Sequence, residues 1–106
     1  MIIVQGSFRV DPQDRPGMLE FLAGVIEVSR QREGCLEYVV AADPIDAGRI
    51  VVSERWQSRA MLDNHLAAQK NERAQEAGSR PTDAKAMPQI TDRLVNVYEV
   101  AAFSPL

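Results

Sequence analysis

Residues 35–57 read CLEYVVAADPIDAGRIVVSERWQ and contain the clearest structural signal of the chain. Two runs within them, 35–42 and 49–57, are rich in β-branched residues and keep one alternating phase, which is typical of β-strands. The residues between the runs, DPIDAG, are turn formers. The stretch therefore predicts an antiparallel hairpin whose second strand carries four side chains on one face: Ile50, Val52, Glu54 and Trp56.

A strand and a helix are predicted ahead of this hairpin. Residues 2–10 alternate, with Val4 and Phe8 in one phase, and predict the first strand. Residues 15–31 place apolar side chains three and four positions apart, which predicts an amphipathic helix with one buried face. Gly34 follows, and a glycine just past a helix is a common way to end it.

A second helix and a last strand are predicted after the hairpin. Ser58 is a favourable N-cap for a helix that runs to about residue 77. Residues 79–89 contain two prolines and predict a loop, with a helical turn at 82–86. Residues 91–103 complete the pattern as the fourth strand.

The order β-α-β-β-α-β predicts an α+β fold of the ferredoxin-like type, in which both helices cover one face of an antiparallel sheet. A chain of 106 residues fits one domain, 1–106. The uncovered sheet face is predicted to be apolar, and a second copy is the simplest way to shield it from water. We therefore expect a homodimer packed sheet to sheet through Val39, Ala41, Val51, Val95, Val97 and Ala101.

Composition argues against several classes of function. With 12 basic and 15 acidic residues the net charge is −3, so the chain lacks the positive excess that nucleic-acid binding needs. No run approaches the ~18 apolar residues that cross a membrane, and the first residues do not resemble a signal peptide. One cysteine and one histidine form neither an internal disulfide nor a structural zinc site, which favours a reducing, cytoplasmic compartment. Because glycine-rich cofactor loops are also missing, we expect no metal and no cofactor.

His65 is the only side chain whose ordinary pKa lies near neutrality. It falls in the apolar stripe of the second helix, so it is either a pocket histidine that moves a proton or a core histidine satisfied by one hydrogen bond. Trp56, just before this helix, is either an aromatic wall with an N–H donor or a packing residue that closes the end of the sheet. Glu54 shares its phase with Trp56 and needs a partner, which is either His65 or a residue of a neighbouring strand.

Three strand residues are candidates for substrate binding. Tyr38 and Tyr98 each carry a hydroxyl that could line a pocket, although strand tyrosines are also common packing residues. Asn96 is in phase with Tyr98, and an asparagine in an apolar strand calls for a partner or a ligand.

Three short segments together resemble a known family. They read EGCLEY at 33–38, SERWQS at 53–58 and MLDNH at 61–65. Their order and spacing are similar to those of the antibiotic biosynthesis monooxygenase domain, whose recurring pattern is E-x-G-x-x-x-Y, then E-x-W/Y-x-S, then L-x-x-H. The first segment departs from this pattern, because its glutamate directly precedes the glycine. Trp56 and His65 match motif positions, and Tyr38 matches through the looser first segment.

The resemblance implies a dimeric α+β barrel, with a cavity between sheet and helices in each subunit. Characterised members include small oxygenases that oxidise aromatic polyketides or quinols without metal or flavin. Such a protein needs only to remove a phenolic proton, hold the anion near O₂ and exclude water. Haem-degrading relatives need a histidine later on the second helix. This chain reads QKNERAQ at 69–75 and has no histidine there, which argues against haem binding.

The leading hypothesis is a cofactor-independent monooxygenase that acts on a small electron-rich aromatic, such as a quinol or a polyketide-like compound. In it, His65 is the base or orienting group, Trp56 is an aromatic wall and donor, and Glu54 fixes the imidazole. Two alternatives stay open because this scaffold hosts many roles. One is a non-catalytic dimer that binds a small molecule, and the other is a non-redox lyase or isomerase.

Overall fold

The computed structural model describes residues 1–79 and 87–106. Two helices and four strands form the fold: β1 (Ile2–Arg9), α1 (Arg15–Arg30), β2 (Cys35–Ala42), β3 (Arg49–Trp56), α2 (Arg59–Ser79) and β4 (Thr91–Glu99). A short 3₁₀ turn at Pro12–Asp14 leads into α1. The helical turn predicted at 82–86 lies outside the described residues.

The sheet order is β2-β3-β1-β4, and every neighbouring pair is antiparallel. It follows that β1 and β2 are parallel to each other with β3 between them, and that β3 and β4 are parallel with β1 between them. Each of these parallel pairs is connected through a helix, which is the split β-α-β arrangement. The predicted ferredoxin-like α+β fold is therefore confirmed.

The sheet face that the helices cover, called the inner face below, carries most of the core. Its buried side chains form two clusters near opposite ends of β1. One cluster surrounds Trp56 and Leu62, and the other surrounds Phe8 and Met18. Their separation leaves room for a cavity between the helices and the middle of the sheet.

The element ends agree with the prediction to within a few residues. Ser58 caps α2 as expected, since its Oγ accepts a hydrogen bond from the Met61 N–H at 3.3 Å. Helix α1 ends at Arg30, and Gly34 lies in the following turn with a φ of +81°, a conformation that suits glycine. β4 ends at Glu99, four residues before the predicted end.

The phase of β4 is opposite to the one that we expected. Val97 pairs with the buried Val4, so Val97 and its in-phase neighbour Val95 face the helices. The prediction that these valines lie on the uncovered face was wrong, and Ala101 lies beyond the strand. Both phases of this strand are similarly apolar, so alternation could not select the face. The uncovered face, called the outer face below, instead carries Leu94, Asn96 and Tyr98 from β4.

The loop between β2 and β3 is fixed by charged side chains. The Arg15 guanidinium donates to the backbone carbonyls of Asp43 at 3.0 Å and Asp46 at 2.8 Å. The Asp43 carboxylate accepts from the backbone N–H groups of Ile45 at 2.8 Å and Asp46 at 3.1 Å, and from Arg49 at 2.9 Å. These bonds, the two backbone ones first, lower the pKa of Asp43 to about 2.

Candidate active site

A cavity of about 1,090 Å³ lies between the helices and the inner face of the sheet. This volume is near the upper limit of the ~300–1,000 Å³ that small-molecule sites usually span. Polar residues also reach its wall, among them Tyr38 from β2, Glu54 from β3 and His65 from α2. Apolar side chains form most of the remaining lining, among them Val4, Phe8, Met18, Leu22, Val52 and Leu62.

His65 occupies the centre of the polar region and is only 2% exposed. Its ring stacks on Trp56, with centroids 4.7 Å apart and an interplanar angle of 30°. The ring of Tyr38 meets it edge to face at 5.5 Å. Within the described part of the chain, His65 Nδ1 is buried and has no hydrogen-bond partner. Such an orphaned polar atom is rare in a native core and calls for an explanation.

Burial and charge keep this imidazole neutral. Burial is the main cause that lowers the pKa of His65 from 6.5 to about 4, and the nearby positive charge of Arg32 lowers it further. The carboxylate of Glu72 opposes the shift, but it is engaged in an ion pair with Arg32. At neutral pH the ring therefore carries no charge and has a free lone pair on one nitrogen.

Glu54 has a different partner from the two that we considered. It is 7% exposed, and its Oε1 accepts a hydrogen bond from Trp56 Nε1 at 3.0 Å. The two side chains meet because residues two apart on a strand point to the same face. Glu54 therefore holds Trp56, and it reaches His65 only through the stacked indole.

The pKa of Glu54 is raised above its usual value, mainly by burial. The hydrogen bond from Trp56 and the charge of Arg93 oppose this shift. Burial also raises the pKa of the Tyr38 hydroxyl, and the charge of Glu54 adds to the effect. Tyr38 is thus a neutral hydrogen-bonding group on the cavity wall at ordinary pH.

Trp56 lies behind the cavity. It is fully buried and touches two residues of the cavity wall, because its ring stacks on His65 and its Nε1 donates to Glu54. It acts as a support for the imidazole, so the structure favours the packing alternative that the sequence left open.

Asn96 and Tyr98 are not brought to this site. They pair with Gln5 and Ile3 of β1 and face outwards with them, away from the helices. The four residues that the structure does bring together are Tyr38, Glu54, Trp56 and His65.

Sequence reasoning missed two cationic residues of the lining, Arg73 on α2 and Arg93 on β4. Arg73 could have been found, because His65, Gln69 and Arg73 recur every four residues and so share one face of the helix. Arg93 is two residues before Val95, and its position becomes clear only once the phase of β4 is known.

Within 1–79 and 87–106, no group of three or more His, Cys, Asp or Glu side chains is placed to hold a metal ion. No helix in those ranges combines the length and the apolarity needed to cross a bilayer.

Several solved structures share this fold. A candidate antibiotic biosynthesis monooxygenase from Deinococcus radiodurans is 23% identical and superposes with a TM-score of 0.77, covering 100% of this chain and 98% of its own. Rv0793 from Mycobacterium tuberculosis is 26% identical, with a TM-score of 0.65 and coverage of 98% and 96%.

Sequence comparison gives the family. An uncharacterized Synechocystis protein, sll1783, is 31% identical over 65 residues, which are 61% of this chain and 44% of that protein. The chain thus spans less than half of the length of that relative. Residues 1–77 match the sequence model named Antibiotic biosynthesis monooxygenase, and this range contains all three motif segments. The chain belongs to the antibiotic biosynthesis monooxygenase family.

Proposed function

We propose that this protein is a cofactor-independent monooxygenase that oxidises a small electron-rich aromatic, a quinol or a polyketide-like compound, with O₂. The family supports monooxygenase chemistry. The observation that carries the proposal is a neutral, almost fully buried histidine on the wall of a cavity of about 1,090 Å³. Such a cavity has room for two or three fused rings, and its apolar lining keeps most water from the reacting carbon.

The reaction can be balanced with the substrate as the only source of electrons. In an anthrone, the CH₂ group loses both of its hydrogens, and one atom of O₂ becomes the new carbonyl oxygen. The second oxygen atom leaves as water with the two hydrogens. The protein has to favour the substrate anion, since this electron-rich form reacts with O₂, and to hold the anion beside the gas molecule.

We assign the removal of the substrate's proton to His65. Its neutral imidazole can accept a proton or a hydrogen bond from the acidic group of the substrate. The stack on Trp56 fixes the plane of the ring, and Glu54 fixes the indole through the bond at 3.0 Å. Tyr38, edge-on to the imidazole, offers a hydroxyl to a substrate oxygen.

We also propose that two copies associate through the outer face of the sheet. Leu94 and Tyr98 on this face are 68% and 48% exposed. Such a surface is costly to leave in contact with water. A symmetric pair would cover it and would leave the cavity, on the opposite face, open to substrate.

One observation favours a binding protein as the second candidate. A histidine with a pKa of about 4 is a weak base, which suits a site that binds an aromatic compound without turning it over. Oxygen uptake with a panel of anthrones and quinols distinguishes the two functions, with the reaction of each compound in buffer subtracted.

We expect uptake that depends on enzyme concentration for at least one compound. The rate of oxygen uptake is expected to be ~10²–10⁴-fold lower in His65→Ala, which should remain folded. Arg59→Gln is the matched control, since Arg59 lies on the exposed start of α2 and pairs with Asp63. Tight binding without uptake would establish the second candidate, and uptake unchanged in His65→Ala would remove histidine from the mechanism.

A further inference from the structure

Two guanidinium groups flank the polar region of the cavity. Arg73 lines it from α2, and Arg93 lines it from the opposite side, on β4. Their charges are felt at the site itself, because Arg73 lowers the pKa of both His65 and Tyr38, whereas Arg93 lowers that of Glu54. Both cations therefore act on the region in which the reacting part of a substrate would lie.

Neither arginine is used by the fold in the part of the chain that the structure describes. Other arginines of the fold have partners: Arg32, whose charge also acts on His65, pairs with Glu72, and Arg30 donates to the Tyr38 carbonyl at 2.9 Å. By contrast, no hydrogen bond or ion pair joins Arg73 or Arg93 to another residue within 1–79 and 87–106.

Two of the acidic residues that line the cavity are already engaged elsewhere. Glu72 is engaged by Arg32. Glu54 is buried, bound to Trp56 and raised in pKa, so it is a poor counter-ion. Two arginines that face one cavity, with no partner among the residues that the structure describes, are well suited to an anionic ligand, because guanidinium groups bind carboxylates through paired, charge-assisted hydrogen bonds.

We propose that the substrate is an aromatic acid, a phenol or quinol whose ring system carries a carboxylate, and that Arg73 and Arg93 bind this carboxylate. The ring then extends from the arginines over the apolar lining, with its hydroxyl or CH₂ group beside His65. The same two charges favour the anion formed when the substrate loses its proton, which lessens the demand on a weak base. This inference rests on the proposed function for its choice of substrate, but its test does not require turnover.

The test compares two redox-inert ligands that differ only in charge. 2-Naphthoate and its neutral amide, 2-naphthamide, have the same ring system and nearly the same shape. Their affinities for the 106-residue chain are measured by calorimetry at 50 mM and 300 mM KCl. We expect the acid to bind at least roughly tenfold more tightly at low salt, as one charge-assisted contact provides. The preference should shrink at high salt, because both arginines are exposed to solvent.

Variants identify the residues responsible. Arg73→Gln and Arg93→Gln should each reduce the preference for the acid, and the double variant should abolish it while it still binds the amide. Arg59→Gln removes the same charge outside the cavity and should leave the preference unchanged. The proposal is overturned if wild-type protein binds both ligands equally, if it binds neither, or if the preference survives in the double variant.

The outcomes separate this inference from the proposed function. Oxygen uptake with neutral quinols and no preference for the acid would overturn the arginine assignment and leave the monooxygenase proposal standing. A preference for the acid that depends on both arginines, without oxygen uptake by any phenolic acid, would support the assignment and count against the oxygenase.

Discussion

His65 is the only histidine of the chain, so its titration can be isolated by one substitution, His65→Phe. Phenylalanine keeps an aromatic ring against Trp56 but cannot be protonated. In the unfolded chain His65 binds a proton below pH 6.5, whereas in the folded protein it does so only near pH 4. The unfolded state therefore gains protons first as pH falls, and the stability that the neutral ring contributes is lost between these two values.

The size of the loss follows from the same two values. The loss is ~1.4 kcal/mol for each pH unit between the two pKa values, so a fall from pH 7 to pH 4.5 would cost the wild-type protein roughly 2.4 kcal/mol. The imidazole borders a cavity that water can enter, so screening reduces this value, and we expect ~1–2 kcal/mol. Glu54 acts in the opposite direction, because its raised pKa favours the folded state as pH falls.

The measurement is urea unfolding at pH 7 and pH 4.5, at one protein concentration, for wild type and His65→Phe. Glu54 is present in both proteins and cancels from the comparison, and a second pair in a Glu54→Gln background checks that it does. We expect wild type to lose ~1–2 kcal/mol more than the variant on acidification. Equal losses in the two proteins would show that the imidazole is not held neutral by burial, and the argument for His65 as a proton acceptor would fail.

Three further predictions concern the framework. Gly6→Ala should lower the free energy of unfolding by ~1–3 kcal/mol, because an added Cβ would overlap the β4 backbone. Gly17→Ala should not lower it, because the space around Gly17 is open, and chemical denaturation of both variants checks the difference. Leu94→Asp should convert a dimer into a monomer, as measured by light scattering. Ile45 is 92% exposed on the β2–β3 loop, so Ile45→Asp should leave the dimer intact. A wild-type protein that is monomeric at micromolar concentration would contradict the outer-face interface. Asp43→Asn should weaken the dependence of the unfolding free energy on pH at acidic pH, as measured by chemical denaturation. The stability contributed by the Asp43 carboxylate is lost as pH falls from its ordinary pKa of 3.8 through its folded pKa of about 2. An unchanged pH dependence in the variant would contradict the role of this carboxylate in the loop.

The fold was predictable from the sequence because its signals are local and mutually consistent. The turn at 43–48 and the helical spacing of 15–31 each follow from short-range geometry, and their order leaves few topologies. The phase of β4 was not predictable, because Leu94 and Tyr98 compete with Val95 and Val97 for the inner face with similar apolarity. Only the pairing of Val97 with Val4 decides it.

The sequence predicted which residues form the core of the candidate site, but not which of them contact one another. The position of His65 in the apolar stripe indicated a buried imidazole, as the structure has it. Its neutral state depends on burial and on Arg32, which lies 33 positions away in the chain, and no local pattern carries that information. The pairing of Glu54 with Trp56 was open to prediction, since residues two apart on one strand face are neighbours.

The central claim, oxygenation of an aromatic without a cofactor, is tested most directly by isotope labelling. Dialysed, metal-free protein is incubated with an anthrone carboxylic acid under ¹⁸O₂, and the product is analysed by mass spectrometry against a reaction without protein. We predict that one labelled oxygen atom enters the new carbonyl, at a rate proportional to the concentration of wild-type protein and lost in His65→Ala. A product formed at the rate of the protein-free reaction, or one formed without label, would contradict the account.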